Sequence, residues 1–312
     1  MATSNNTINS SFTGKAASGY VSAALLSGKT LASGAIDIRD NIQYKEVIQV
    51  INSDSNLIKP GTCDFTATGT LTTTEVVLEP KEIQVNLEVC SKNFLSRWES
   101  LQMKGVKSGL PKTFGEFILE DVVKNTASAM ESAIWTGTTS GDLPFDGFET
   151  LAAANADVID VAKSAISEAN VTTELQKVVS AIPNAVYGDE TLSIFVSTSI
   201  YQSYIAQLAG FGAVNGSNAT EGMDGKRQMW YNGSQQLFFL GIPVVHCPGL
   251  TATDMFAARK EDLVFGSSLY SELNQASILD MSSIDGSQNS RVILRGSAAV
   301  AIVQPSQVVF YS

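Results

Sequence analysis

The chain has 312 residues, of which 44% are apolar and only 16% charged, and its net charge is −11. That length carries one large domain or two smaller ones with a sizeable core. So little charge points to many strands and turns, or to surface buried against other chains. The 20 Lys and Arg are scattered among 31 Asp and Glu, which argues against direct reading of nucleic acid, since that needs clustered cations. A chain that merely surrounds DNA is compatible with this balance.

The first residues, "MATSNNTINSSFTGKAASG", lack an apolar core of signal-peptide length. No later run approaches a membrane span, so folding in a cytoplasm is expected. Cys63, Cys90 and Cys247 are odd in number and far apart, and read as reduced thiols rather than a disulfide framework.

Residues 1 to about 17 are small and polar, a segment expected to be mobile or ordered by a neighbour. "AALLSGKT", residues 23–30, has the outline of a phosphate-binding loop with Ala in place of the first glycine. Such a loop needs a buried strand before it, an open glycine-rich turn and a helix beginning at the Lys-Thr pair. "TGKAASGYVSA" is no buried strand, and Leu25 and Leu26 are bulky where the backbone must stay open. A nucleotide hydrolase is therefore the distant alternative. The simpler reading is a short helix from Tyr20 to Ser27, with Gly28 as its C-terminal stop and Lys29 facing the negative helix end.

From Ile36 the texture changes. "IQYKEVIQVI" places Ile42, Tyr44, Ile48 and Val50 on one side of a strand. After a polar turn, a Thr- and Val-rich stretch alternates Ile83, Val85, Leu87 and Val89. Together these predict a β-hairpin excursion of about fifty residues, which cannot bury both faces unaided and is expected to pack on another subunit. Thr113-x-x-Glu116 then forms a capping box. Phe114, Ile118, Val122, Thr126, Met130 and Ile134 follow near helical spacing, so a helix is predicted to run to about Trp135. Residues 151 to about 275 alternate helical and strand patterns, as in "TTELQKVVSAI", "TLSIFVS" and "TSIYQSYIAQLAG", which argues for a compact α+β or α/β unit. "QLFFLGIPVVHC", "DMFAARKEDLVFG" and the closing "RVILRGSAAVAIVQPSQVVFYS" read as strands, the last broken at Pro305.

Candidate chemistry is sparse. His246, the sole histidine, and Cys247 are adjacent, and consecutive residues of a strand point to opposite faces, so neither can activate the other. Zinc needs more ligands than the chain can gather around one histidine. No Gly-x-Ser-x-Gly elbow occurs, and Asp142, Asp146 and Asp285 lack calcium-loop spacing. Glu116 and Glu120 suit a solvated helix face. Trp98, Trp135 and Trp230 read as core or interface anchors rather than a stacking platform. No catalytic, cofactor-binding or metal-ligating residue is assigned and no cofactor is expected, which favours a structural role.

The order of the pieces resembles the major capsid proteins of tailed bacteriophages, a fold shared with encapsulins. "ESAIWTGTTSGDLPFDGF" looks like the family's close of its spine helix. "FFLGIPVVHCPGL" and "RKEDLVFG" look like its middle strands, and the C-terminal run looks like its closing strands. The resemblance implies an α+β fold divided into an N-terminal arm (1–39), an extended β-hairpin loop (40–92), spine helix and peripheral domain (93–150), axial domain (151–275) and peripheral closing strands (276–312). It implies a non-enzymatic subunit that assembles into pentamers and hexamers of an icosahedral head around double-stranded DNA, in the virion after assembly in a host cytoplasm. Its implied partners are copies of itself, a portal and, since no N-terminal scaffolding segment is seen, a separate scaffolding protein. An encapsulin-like nanocompartment is the alternative.

Overall fold

A computed structural model describes residues 10–13, 28–42, 44–53, 58, 60, 61, 63, 69–90, 114–140, 143, 145–208, 237–268, 275–281 and 284–312. Two mixed sheets, a long helix and a projecting hairpin make up these residues. One sheet has the order β6 (Ile159–Val161), β14 (Val309–Tyr311), β10 (Met255–Arg259), β7 (Leu192–Val196), β9 (Ile242–His246), β8 (Leu237–Phe239). Its central strands β10 and β7 are mostly apolar, with only Arg259 and Ser193 as exceptions, because both faces are covered. Leu192, Ile194 and Val196 of β7 pack under α4 (Val171–Ala181) and α5 (Thr198–Leu208), while Phe195 points the other way. The same alternation sends Met255 and Ala257 to the helices and Phe256 to the opposite core, and splits Val309 and Tyr311 from Phe310.

That opposite core is shared with α2 (Phe114–Thr136), α3 (Phe148–Ala154) and the second sheet. The second sheet runs β1 (Ser10–Thr13), β12 (Gln275–Asp280), β13 (Asn289–Ile302), β11 (Leu263–Ser267), β2 (Asp37–Arg39), with β5 (Lys81–Cys90) also paired to β13. Residues 290–295 of β13 alternate, Val292 and Leu294 buried and Arg291 and Arg295 exposed. From Ala298 onward every residue of β13 is buried, because the base of the hairpin covers the second face. Trp135 sits at the centre with no exposure, its ring 5.4 Å from Phe148, 5.5 Å from Phe195 and 5.3 Å from Phe256. These tilted contacts suit the ring quadrupoles.

The long helix lies where its spacing puts it, with Val122, Met130 and Ile134 buried and Thr126 half-buried. Thr113 and the side chains of Phe114, Glu116 and Ile118 lie outside the described residues, as does the expected helix at 20–27. Gly28 precedes α1 (Lys29–Ala32), whose Ala32 N–H bonds back to the Gly28 carbonyl. Two readings are corrected. The hairpin is β3 (Glu46–Ser53) with β4 (Leu71–Leu78), in register Val47↔Val77. β5 leaves it, pairing antiparallel with residues 289–298, because its half-apolar face needs a core and Ile83 and Val85 find one beside β13. Pro80, lacking an N–H, separates β4 from β5. Lastly, the chain changes sheets at Lys260–Asp262 and again at Pro305–Gln307, not at 275. Arg259 pins the first of these turns through paired bonds to Asp262 at 3.0 and 3.1 Å, so β11 joins the second sheet while β14 returns to the first.

Candidate functional site

The hairpin has two unlike faces. Ile48, Val76 and Leu78 turn inward onto Ile42, Val264, Ala299 and Ala301. Leu78 comes so near Gly266 that a side chain there would strike it. On the outward face Val47, Ile51, Leu71 and Val77 are 50%, 63%, 68% and 52% exposed, with Gln49 bonded to Glu75 between them. Adjacent apolar side chains left open over a two-stranded ribbon mark an interaction surface rather than scattered exposure. Ion pairs hold the ribbon's base: Arg39 to Asp37 at 3.0 Å and to Glu46 at 2.5 Å, and Glu79 to Lys45 at 2.8 Å and Lys81 at 2.5 Å. Hydrogen bonds from Lys45 and Lys81 hold the Glu79 carboxyl down at about 2.

The Gly28-Lys29-Thr30 turn meets the long helix at Glu131. The Thr30 N–H donates to both carboxylate oxygens of Glu131 at 3.2 and 3.1 Å, and the Thr30 hydroxyl donates to the same group. The Trp135 indole N–H donates to the Thr30 Oγ1 at 2.9 Å. Gly28 lies on the carboxylate, and a side-chain carbon there would collide with it. Glu131 is 5% exposed, and its burial raises the carboxyl pKa against the opposing pull of the Thr30 bonds and the Lys29 charge. The helix start that a phosphate would need is thus occupied by the chain's own carboxylate. Sequence reasoning missed Glu131; its one signal is a charge four residues before Trp135 on a stripe of buried side chains.

Other singled-out residues do not converge. His246 Nε2 lies 2.9 Å from Thr198 Oγ1, and its ring stacks on Tyr201 at 5.0 Å. Burial, then Lys29, lowers its pKa. Cys247 follows the end of β9, fully buried, and its thiol is pushed far up by burial. Asp146 accepts the N–H and hydroxyl of Thr139, and Asp285 the N–H of Ser287. Glu120's side chain, Asp142, Trp98 and Trp230 lie outside the described residues. Among the described residues no group of three or more His, Cys, Asp or Glu side chains could hold a metal, and no helix is long and apolar enough to cross a membrane.

Comparison by sequence finds no matching family model and no matching curated protein. Comparison of folds matches nearly the whole chain. The capsid of an empty GTA particle aligns over 89% of this chain and 94% of its own with a TM-score of 0.56 at 11% identity. The capsid of Myoviridae phage XM1 aligns over 91% of each chain with a TM-score of 0.52 at 11% identity. The chain has the phage capsid fold. A virus-like particle from Pyrococcus furiosus has the same fold, covering 96% of this chain and 99% of its own with a TM-score of 0.53 at 7% identity.

Proposed function

We propose that the chain is a major capsid protein that self-assembles into the pentamers and hexamers of an icosahedral phage head around double-stranded DNA. The observation that carries this reading is the outward face of the β3–β4 ribbon, where Val47, Ile51, Leu71 and Val77 stand open to solvent on a ribbon held rigidly at its base. Laid on an adjacent subunit, that face gains the burial that a two-stranded ribbon cannot supply to itself. A net charge of −11 suits a shell that encloses DNA without gripping its sequence. In this reading the arm is 1–39 and the extended loop 40–92, with β5 as the loop's return into the body. The spine and peripheral unit take 93–154 with 263–302, and the axial unit takes 155–262 with 303–312. The role carries with it a portal and a separate scaffolding protein as partners, assembly in a host cytoplasm and residence in the virion.

An encapsulin-like compartment is the second reading, favoured by the likeness to the Pyrococcus furiosus particle. Expression of the chain followed by negative-stain electron microscopy tests both, since each expects closed particles. A chain that stays monomeric under all assembly conditions contradicts both. Particles isolated from their native source hold DNA on the first reading and a protein cargo on the second.

A further inference from the structure

The outer face of the second sheet is covered along only part of β13. Alternation along that strand sends Leu294, Ala298, Val300 and Ile302 into the main core. Ala299 and Ala301 turn to the other side, where Ile48, Val76 and Leu78 of the chain's own ribbon pack on them. The same side continues to Arg295, Ile293 and Arg291, and there Arg291 and Arg295 are exposed and Ile293 half-buried. Asn86 and Glu88 of β5 stand opposite Ile293 and Arg291 in register, and these five residues line an open recess of about 330 Å³. Its charges are unbalanced. Glu88 lies 3.5 Å from Arg291 and accepts the Asn289 amide at 2.7 Å, whereas Arg295 has no ion pair among the described residues. Glu82, further along β5, lines a separate recess at the ribbon's base with Tyr44 and Glu79. One cation is therefore left over beside an apolar side chain.

The outward face of the ribbon carries the complement. Val47, Ile51, Leu71 and Val77 surround Gln49 and Glu75, and among the described residues the Glu75 carboxylate meets only the Gln49 amide, at 3.0 Å. This face is turned away from the sheet that its own ribbon covers, so only another copy of the chain can bring it to the open half of that sheet. We propose that the recess on β5 and β13 seats the ribbon of an adjacent copy, with Glu75 of the incoming ribbon paired to Arg295 and its apolar neighbours laid over Ile293. Ribbon on one copy and sheet on the next make a head-to-tail contact, the kind that repeats around a ring. The apolar side chains supply the burial, and the opposite charges fix the register of the ribbon on its seat. The inference rests on the proposed assembly and adds to it the surface that receives the ribbon.

Glu75→Arg and Arg295→Glu, made singly and together in the full chain, test the seat by the yield of closed particles in electron microscopy. Circular dichroism and the denaturant midpoint establish that each variant is folded. Either single reversal sets like charges together and is expected to lower the yield by more than about tenfold. The double variant restores the pair in inverted form and is expected to recover most of the wild-type yield. Should Arg295→Glu unfold beside Glu88, Arg295→Gln takes its place, and by removing the repulsion it is expected to relieve the defect of Glu75→Arg. Single reversals that assemble like wild type, or a folded double variant no better than the singles, overturn the seat and leave shell formation standing. Arg295→Glu shells that form normally but hold less DNA also overturn it, giving the arginine to phosphate instead. No particles from wild type overturns the seat together with the assembly on which it rests.

Discussion

Trp135 joins four parts of the molecule to α2, since its ring touches phenylalanines from α3, β7 and β10 and its N–H reaches Thr30. Replacing it with Ala should cost about 3–5 kcal/mol, the range for a large aromatic lost from a core, as measured by denaturant unfolding. Gly249 is the second sensitive position. A side-chain carbon there would meet the Glu131 carbonyl oxygen and the Trp135 ring, so the loop after β9 lies directly on the spine helix. Gly249→Ala should destabilise by about 1–3 kcal/mol through overpacking, read as a shift of the unfolding midpoint at unchanged slope. Glycine at this point was legible only as a turn residue. Its close approach depends on a helix more than a hundred residues earlier, which no local pattern reveals. The same distance hides the pairing of Glu131 with Thr30, although a charge on a buried helical stripe does flag that something must meet it.

The elements whose pattern is local were readable. β7 is buried at every position and apolar at all but Ser193 because both faces are covered, and the long helix follows its 3.6-residue stripe. Strand partners were not readable, because alternation in β5 says that one face is buried without saying against what; β13 proved to be the partner. The hairpin's ion-paired base makes a prediction of its own. Glu79, held at about 2, favours the clamped base above the ordinary carboxylate value of 4.5, and that contribution is lost as pH falls from 4.5 toward 2. Because the group is exposed, salt weakens the clamp as well. Protection of the 44–48 amides, corrected for intrinsic exchange at each pH, should therefore fall in acid and in high salt, and Glu79→Gln should remove the acid step. Protection in the Glu79→Gln protein that still falls in acid would show that another group controls the base.

For the whole molecule, the α+β capsid fold was legible from the sequence. The crossing of the chain between sheets was not, since "DMFAARKEDLVFG" reads as strands and Pro305 as a break without stating which sheet each neighbour joins. Assembly is the property on which the account depends, and the outward ribbon face is where it can be broken without disturbing the fold. Val47 and Leu71 stand at opposite ends of that face, 50% and 68% exposed, so Val47→Glu with Leu71→Glu should leave the monomer's stability within about 1 kcal/mol of wild type. Charges in place of two apolar side chains on that face should nevertheless keep a neighbour away. The decisive measurement is negative-stain electron microscopy of wild type and this double variant, purified side by side. The account predicts closed particles from wild type and only unassembled subunits from the folded variant; shells forming equally well from both would contradict it.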